Sequence, residues 1–156
     1  MTEFRIEHLK PARVVACRGD GAEPEREAWG RMRRYVRHNR LDEDGQRHRF
    51  FGFNDPQPAP GSPEHGYEQW MTVADGAPEG EGVALKEFPG GTFAVAHCHL
   101  ADIQRTWLEL VEWAKRKGYP IVEGPLLEEC LTPPIQRSIR EDLEFELYLP
   151  IRVPGA

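Results

Sequence analysis

The residues of this chain that could do chemistry are carboxylates set beside aromatic rings. Glu146 and Tyr148 alternate with Phe145, Leu147, Leu149 and Ile151 near the C-terminus. Glu68 and Trp70 alternate in the same way with Tyr67, Gln69, Met71 and Val73. Phe51 and Phe53 form a short aromatic stretch, and Leu127-Glu128-Glu129-Cys130 holds two adjacent acids between apolar residues. A carboxylate among rings is costly unless a cation or a hydrogen bond satisfies it. The same cost selects for cationic ligands, to which the rings add roughly 0.5–2 kcal/mol of cation–π attraction. The plainer alternative for each stretch is a strand with one buried and one solvated face.

Other constellations fall short of a site. His97 and His99 share one strand face and could be half a metal site, but zinc needs at least three protein ligands and no third is visible. No metal and no cofactor are expected. Cys17, Cys98 and Cys130 read as small core residues. Arg31, Arg33, Arg34, Arg37 and Arg40, followed by Arg47, His48 and Arg49, could be a phosphate patch. In an acidic chain they read better as a solvated helix face, with cations favoured near the helix C-terminus. There is no Ser/His/Asp motif, P-loop or dinucleotide motif.

Two helices and a set of strands must position these residues. Glu23 to Arg40 reads as a helix with Trp29, Met32, Tyr35 and Val36 on its apolar stripe and Pro24 near its start. A second helix runs from an N-cap at Asp102 to Gly118, with Ile103, Trp107, Leu110, Val111 and Ala114 as its stripe. Strands are expected at Phe4 to Leu9, Arg13 to Arg18, Phe50 to Phe53, Tyr67 to Val73, Val83 to Phe88, Thr92 to His99, Leu126 to Leu131 and Leu143 to Ile151. A proline-rich loop joins Gln57 to Gly66.

The two halves echo each other. Ala12 to Ala16 resembles Gly91 to Val95, Trp29 answers Trp107, Phe51-Gly52-Phe53 answers Glu128-Glu129-Cys130, and Tyr67-Glu68 answers Phe145-Glu146. The spacing predicts an internal duplication within one domain, residues 1–156, with one repeat at about 1–74 and the other at about 83–156. The fold class is α+β: tandem β-α-β-β units related by a pseudo-two-fold, with antiparallel sheets, two main helices and a central groove. Both helices should cover one side of the sheets. The strand faces turned away from them then flank the groove, bringing Glu68 and Trp70 together with Glu146 and Tyr148.

A chain of 156 residues, 39% hydrophobic and 29% charged, suits one soluble domain with a sizeable core. No apolar run approaches the roughly 20 residues of a membrane helix, and Met1 to Lys10 has no signal-peptide core, so no membrane partner is expected. Three widely spaced cysteines suit a reducing cytoplasm. A net charge of −6 and the lack of a helix-turn-helix segment before Arg13 make direct nucleic-acid binding unexpected. The sequence names no protein partner.

These residues together resemble the GyrI-like small-molecule-binding family, which includes free-standing bacterial proteins and the effector-binding domains of AraC-type and MerR-type transcription regulators. The likeness is carried by Pro11-Ala12-Arg13 before Val14-Val15-Ala16, by Phe53-Asn54-Asp55-Pro56, and by the Pro-Gly-Gly strand Phe88 to Val95. Trp29, Trp107, Trp113, Leu127-Glu128 and the closing strand Glu146 to Ile151 complete it. The resemblance implies a duplicated fold around a hydrophobic groove that takes lipophilic, often cationic compounds on aromatic rings and a buried glutamate. By motif that glutamate is Glu128, and the closing-strand pair is Glu146 and Tyr148. This chain has Cys130 where a tyrosine is usual and Glu129 where an apolar residue is usual, so it stays open which of Glu128 and Glu129 faces the groove.

The expected ligand-binding set is Glu128, Glu146, Tyr148, Phe51, Phe53, Tyr67, Glu68, Trp70 and Cys130. Two functions use it. One is multidrug-type binding of amphipathic or cationic small molecules. The other, which some free-standing relatives carry, is hydrolysis of strained cyclopropane-bearing electrophiles, with Glu128 and Glu146 as the catalytic carboxylates. A regulator's effector domain or a gyrase modulator is a third, weaker implication of the resemblance.

Overall fold

The computed structural model describes residues 2–57, 65–135 and 142–155. Much of the proline-rich loop expected over 57–66 therefore lies outside the described residues. The strands are β1 (Phe4–Leu9), β2 (Ala12–Gly19), β3 (Phe50–Asn54), β4 (Tyr67–Val73), β5 (Val83–Phe88), β6 (Gly91–His99), β7 (Leu127–Cys130) and β8 (Glu144–Pro150). The helices are α1 (Pro24–His38), between β2 and β3, and α2 (Ile103–Lys117), between β6 and β7.

Local chemistry accounts for the helices. Pro24 opens α1, where its fixed φ and missing N–H cost nothing. Ala28, Trp29, Met32, Tyr35 and Val36 then bury one stripe. Gly118 ends α2 at φ 76°, a left-handed conformation that favours glycine, and its N–H closes on the carbonyls of the last turn. The start of α2 differs from expectation. The Asp102 side chain makes no capping bond. Its carboxylate holds Arg105 at 2.9 Å instead, and its backbone carbonyl accepts from Thr106 Oγ1 at 2.9 Å. A short 3-10 turn, Leu100–Asp102, leads the chain into the helix and does the work a cap would do.

All eight strands join one antiparallel sheet in the order β1-β6-β8-β7-β3-β4-β2-β5. The order reads alike from both ends when β1 to β4 are matched with β5 to β8. The first strand of each half pairs with the other half, β1 on β6 and β5 on β2. At the centre β3 and β7 pair, with Gly52 opposite Glu128 and Phe51 opposite Glu129. The internal echo needs one change at this point. Gly52 pairs with Gln69, and Glu128 with Leu147, so Gly52 and Glu128 hold matching places. Matching Phe51 with Glu128 is one residue out, and one residue in a strand exchanges the two faces.

Both helices lie on the same side of the sheet. α1 packs on β2 and β4, and α2 on β6 and β8, which leaves the central pair β3 and β7 along the line between them. The main core fills the space under the helices, with Val15, Cys17, Trp29, Met32, Met71, Ala94, Ala96, Leu110, Leu147 and Leu149 among its buried residues. Among the described residues no helix is long and apolar enough to cross a membrane.

Candidate functional site

Strand alternation divides the expected site residues between the two faces of the sheet. Phe51, Trp70 and Tyr148 lie on the face away from the helices and belong to its apolar cluster, with Phe53 packed against it and Glu68 and Glu146 on the same face. Tyr67, Glu128 and Cys130 lie on the face that the helices cover. The structure thus brings together two sets and not one.

Around Tyr148 the far face is closed on itself. Phe51, Trp70, Phe88, Phe93 and Tyr148 are all buried. Tyr148 meets Phe51 edge-on at 5.7 Å and Phe93 at 5.8 Å between ring centroids, while Phe88 lies 5.5 Å from Trp70. Such pairings add to the apolar burial of the rings. The space between Trp70 and Tyr148 is therefore occupied by the protein's own rings, while Phe53, Glu68 and Trp70 line an open groove of about 630 Å³ at the β4 side of this face.

Glu68, Glu129 and Glu146 on this face each already have a cation. Glu129, buried at 5% exposure, accepts two bonds from one guanidinium, Arg49 Nε at 2.8 Å and Nη2 at 2.9 Å. Tyr148 donates to Glu129 Oε1 at 2.8 Å, and Arg49 in turn reaches the Tyr148 hydroxyl at 3.1 Å. The same guanidinium stands 5.1 Å from the centre of the Phe51 ring. Arg49 is held there because its N–H donates to Thr72 Oγ1 at 2.7 Å and its carbonyl accepts from the Thr72 N–H at 2.9 Å, extending the β3–β4 pairing by one step. Its bond to Glu129 raises the Arg49 pKa further. Burial, then the Glu129 charge, pushes the Tyr148 phenol up as well. Glu68, also buried, accepts from Trp70 Nε1 at 2.6 Å and Lys86 Nζ at 2.8 Å, with Arg18 Nη1 at 3.5 Å. Glu146 is paired with Arg5.

Glu128 is different. It is half-buried and rises from the central strand toward the line between the helices, opposite Gly52. A side chain at position 52 would collide with the Tyr67 hydroxyl, so the glycine lets Tyr67 lean across β3. That hydroxyl donates to Glu128 Oε1 at 3.0 Å. From α2, Trp107 Nε1 donates to Glu128 Oε2 at 3.2 Å. Both carboxylate oxygens are thus held by neutral donors, and among the described residues no cation pairs with them. Burial pushes the Glu128 carboxyl up, the Trp107 and Tyr67 donors pull it down by less, the Glu25 charge adds to the rise, and His65 lowers it slightly. Tyr67 is pushed well above the usual phenol value, first by burial and then by Glu128. His65 closes this end of the seam, its Nε2 lying 2.6 Å from Glu25 Oε1 at the start of α1. Cys130 is buried beside this site with its thiol pushed up to about 11 by burial, so it is a packing residue here.

Sequence reasoning assigned Trp107 to the core. Its counterpart Trp29 is in fact buried, stacked 5.7 Å from Phe50, whereas Trp107 is half-buried and turned to the carboxylate. The missed partners Arg49 and Lys86 carry no local signal, since each meets its acid only through strand pairing. Among the described residues no group of three or more His, Cys, Asp or Glu side chains could hold a metal ion, and His97 pairs with Glu144 at 3.2 Å.

Comparison with known structures places the fold. The chain superposes on the C-terminal domain of EcmrR with a TM-score of 0.69 at 11% identity, over 97% of this chain and 98% of that one. It superposes on a hydrolase encoded by lin2189 from Listeria innocua with a TM-score of 0.68 at 11% identity, over 96% and 92% of the two chains. With SAV2435 bound to tetraphenylphosphonium the TM-score is 0.51 at 11% identity, over 96% and 94%. At such identities the likeness is one of fold. No protein of curated function matches the sequence closely enough to count as a relative. The family model of the GyrI-like small-molecule-binding domain matches residues 2–152, and the chain belongs to that family.

Proposed function

We propose that the seam between α1 and α2 binds an amphipathic small molecule with a cationic centre, and that Glu128 is its charge partner. Residues 1–156 would act as one domain of two related halves, with the ligand on the line where they join. The observation that carries this reading is the set of partners of Glu128. Glu68, Glu129 and Glu146 each have an arginine or lysine, while Glu128 has two neutral donors and a pKa raised by burial. A half-buried carboxylate without a counter-ion gains most from a cation that excludes water. Tyr67 and Trp107 would offer ring faces to the same ligand.

The test is a titration of tryptophan fluorescence with tetraphenylphosphonium and with tetraphenylborate, which has the same shape and the opposite charge. The cation should bind and the borate should bind far more weakly. Equal affinity for both would refute the reading. Hydrolysis would use the same carboxylate, whose raised pKa suits a general base. Its expected partner Glu146 is on the opposite face and paired with Arg5, which favours binding over a two-carboxylate mechanism. Release of product from a cyclopropane-bearing electrophile, lost in Glu128→Gln, would reverse that preference.

A further inference from the structure

The groove at the β4 side of the far face has its own rings and its own charges. Phe53 and Trp70 line it and meet edge-to-face at 5.0 Å between centroids, and Pro125 and Leu126 come to it from the other half of the chain. Three charged side chains line it: Glu68, Asp55 and Lys86. Lys86 Nζ at 2.8 Å and Trp70 Nε1 at 2.6 Å both donate to Glu68 Oε2, so the lysine is spent on this buried acid. Asp55 has only a share of Arg18. That guanidinium reaches Asp55 Oδ2 at 3.1 Å, Asp20 Oδ1 at 2.9 Å and Glu68 Oε1 at 3.5 Å. Three carboxylates, Glu68, Asp55 and Asp20, therefore divide two cations, and one negative charge is left over at the Asp55 end of the groove. Backbone bonds hold Asp55 in place. Its N–H donates to the Gly66 carbonyl at 2.9 Å, and its carbonyl accepts from Arg18 Nη2 at 2.7 Å. A side chain at position 66 would collide with the Asp55 carbonyl oxygen and with Arg18 Nη2, so the glycine lets this cluster close.

We propose that this groove is a second binding site, and that it takes a flat aromatic cation, with its rings on Phe53, Pro125 and Leu126 and its charge toward Asp55. The same face already makes this arrangement within the chain: the Arg49 guanidinium stands 5.1 Å from the centre of the Phe51 ring, beside Glu129. Among the described residues no arginine or lysine stands over the ring of Phe53, two positions on. A cation in the groove gains from both the ring and the surplus carboxylate. An anion meets that surplus and is repelled. An uncharged ring system makes the apolar contacts and nothing more. Asp55 is well exposed, so the charge contribution is modest and falls with salt. The volume lies in the range of small-molecule sites and suits two or three fused rings. This site does not depend on the reading of the Glu128 seam, which lies on the other face of the sheet.

The probe is N-methylacridinium, a fluorescent cation of fused rings, set against acridine in mildly alkaline buffer, where acridine is uncharged. Both are titrated into the wild type and into Glu128→Gln, so that the charge of the seam cannot account for the binding. Glu128→Gln should take up one molecule of the cation per chain, about tenfold more tightly than acridine. Adding Asp55→Asn should weaken the cation about fivefold and leave acridine unchanged. Adding Asp20→Asn instead should weaken the cation about threefold, although Asp20 does not line the groove, because Arg18 then balances Asp55 more fully. Phe53→Leu keeps the bulk and removes the ring, and should weaken both ligands about threefold. No binding of the cation to Glu128→Gln up to the solubility limit would overturn the proposal. So would equal affinity of that protein for cation and acridine, cation binding untouched by Asp55→Asn, or indifference of both ligands to Phe53→Leu.

Discussion

Glu128 and Glu129 are neighbours in one strand and live under opposite electrostatics. Glu129 points to the far face, is buried at 5% exposure, and is met by a bidentate guanidinium, a phenol hydroxyl and the ring beneath them. Glu128 points to the seam between the helices and is met by a phenol hydroxyl and an indole N–H. Both have two satisfied oxygens. Only one has its charge balanced. The Glu129 site has the parts expected of a cation pocket, an acid with aromatic rings around it, yet Arg49 of the same chain already fills it. Composition alone would rank Glu129 first, because it is the more buried and the more aromatic. Charge accounting ranks Glu128 first, since a ligand can add most where the protein has left a charge unpaired.

The sharpest way to break this comparison is to remove the built-in cation. Arg49→Ala should strand Glu129 without a partner. The loss of such a buried pair reaches several kcal/mol; since Arg49 is partly exposed, we expect about 2–3 kcal/mol after solvent screening. Urea unfolding should show it as a lower midpoint at constant slope. Adding Glu129→Gln to Arg49→Ala should recover much of the loss. Stability unchanged in Arg49→Ala would mean that the pair is a surface contact and that the contrast with Glu128 fails.

The next effect is on ligand affinity. Glu128→Gln should weaken tetraphenylphosphonium binding by about 1–3 kcal/mol, the range of a charge-assisted contact. Glu129→Gln and Glu146→Gln should leave it within experimental error, because their charges are already paired. Calorimetric titration of the three variants decides the matter. An equal loss in Glu128→Gln and Glu129→Gln would put the ligand on both faces and erase the distinction.

Smaller still is the removal of one donor. Trp107→Phe keeps a ring at the seam but leaves Glu128 Oε2 unbonded. We expect cation affinity to fall by about 1 kcal/mol, with the folded protein otherwise intact. The matching change Trp29→Phe, in the buried counterpart, should lower stability and not affinity.

The smallest effect is on pH dependence. The folded pKa of Glu128 is raised above its unfolded value, so the folded state holds the proton more tightly. Stability from this group is therefore highest below the ordinary carboxylate range and falls as pH rises through the raised value. Compared with Glu128→Gln, the wild type should gain stability as pH is lowered from neutrality through that window. Saturating cation should reduce the difference by favouring the ionised form. Parallel stability curves for the two proteins would show that Glu128 is solvated like any surface acid.

Much of the architecture was legible in the residues. Trp29, Met32, Tyr35 and Val36 at helical spacing, Pro24 before them and Gly118 after the second stripe mark both helices, since each of these residues acts locally. Alternation in Tyr67 to Val73 and Leu143 to Ile151 divided each strand correctly into two faces. The site was less legible. Period two says which residues share a face and nothing about which face the helices will cover. That is why Glu68, Trp70, Glu146 and Tyr148 share a face as expected, while the space between Trp70 and Tyr148 is packed with Phe51, Phe88 and Phe93.

What the sequence by itself determined is the list of elements, the grouping of side chains within each strand and the family resemblance carried by Glu128. Those depend on contacts within a few residues, or on a pattern written along the chain. What only the tertiary structure decided is the meaning of each carboxylate. Arg49 reaches Glu129 across 80 residues, Tyr67 reaches Glu128 across 61, and Trp107 across 21. All three depend on the β3–β7 register that sets Gly52 opposite Glu128. A shift of one residue there would exchange the faces of Glu128 and Glu129. Whether an acid is balanced or waiting for a cation is a property of that alignment, and no local stretch of the chain contains it.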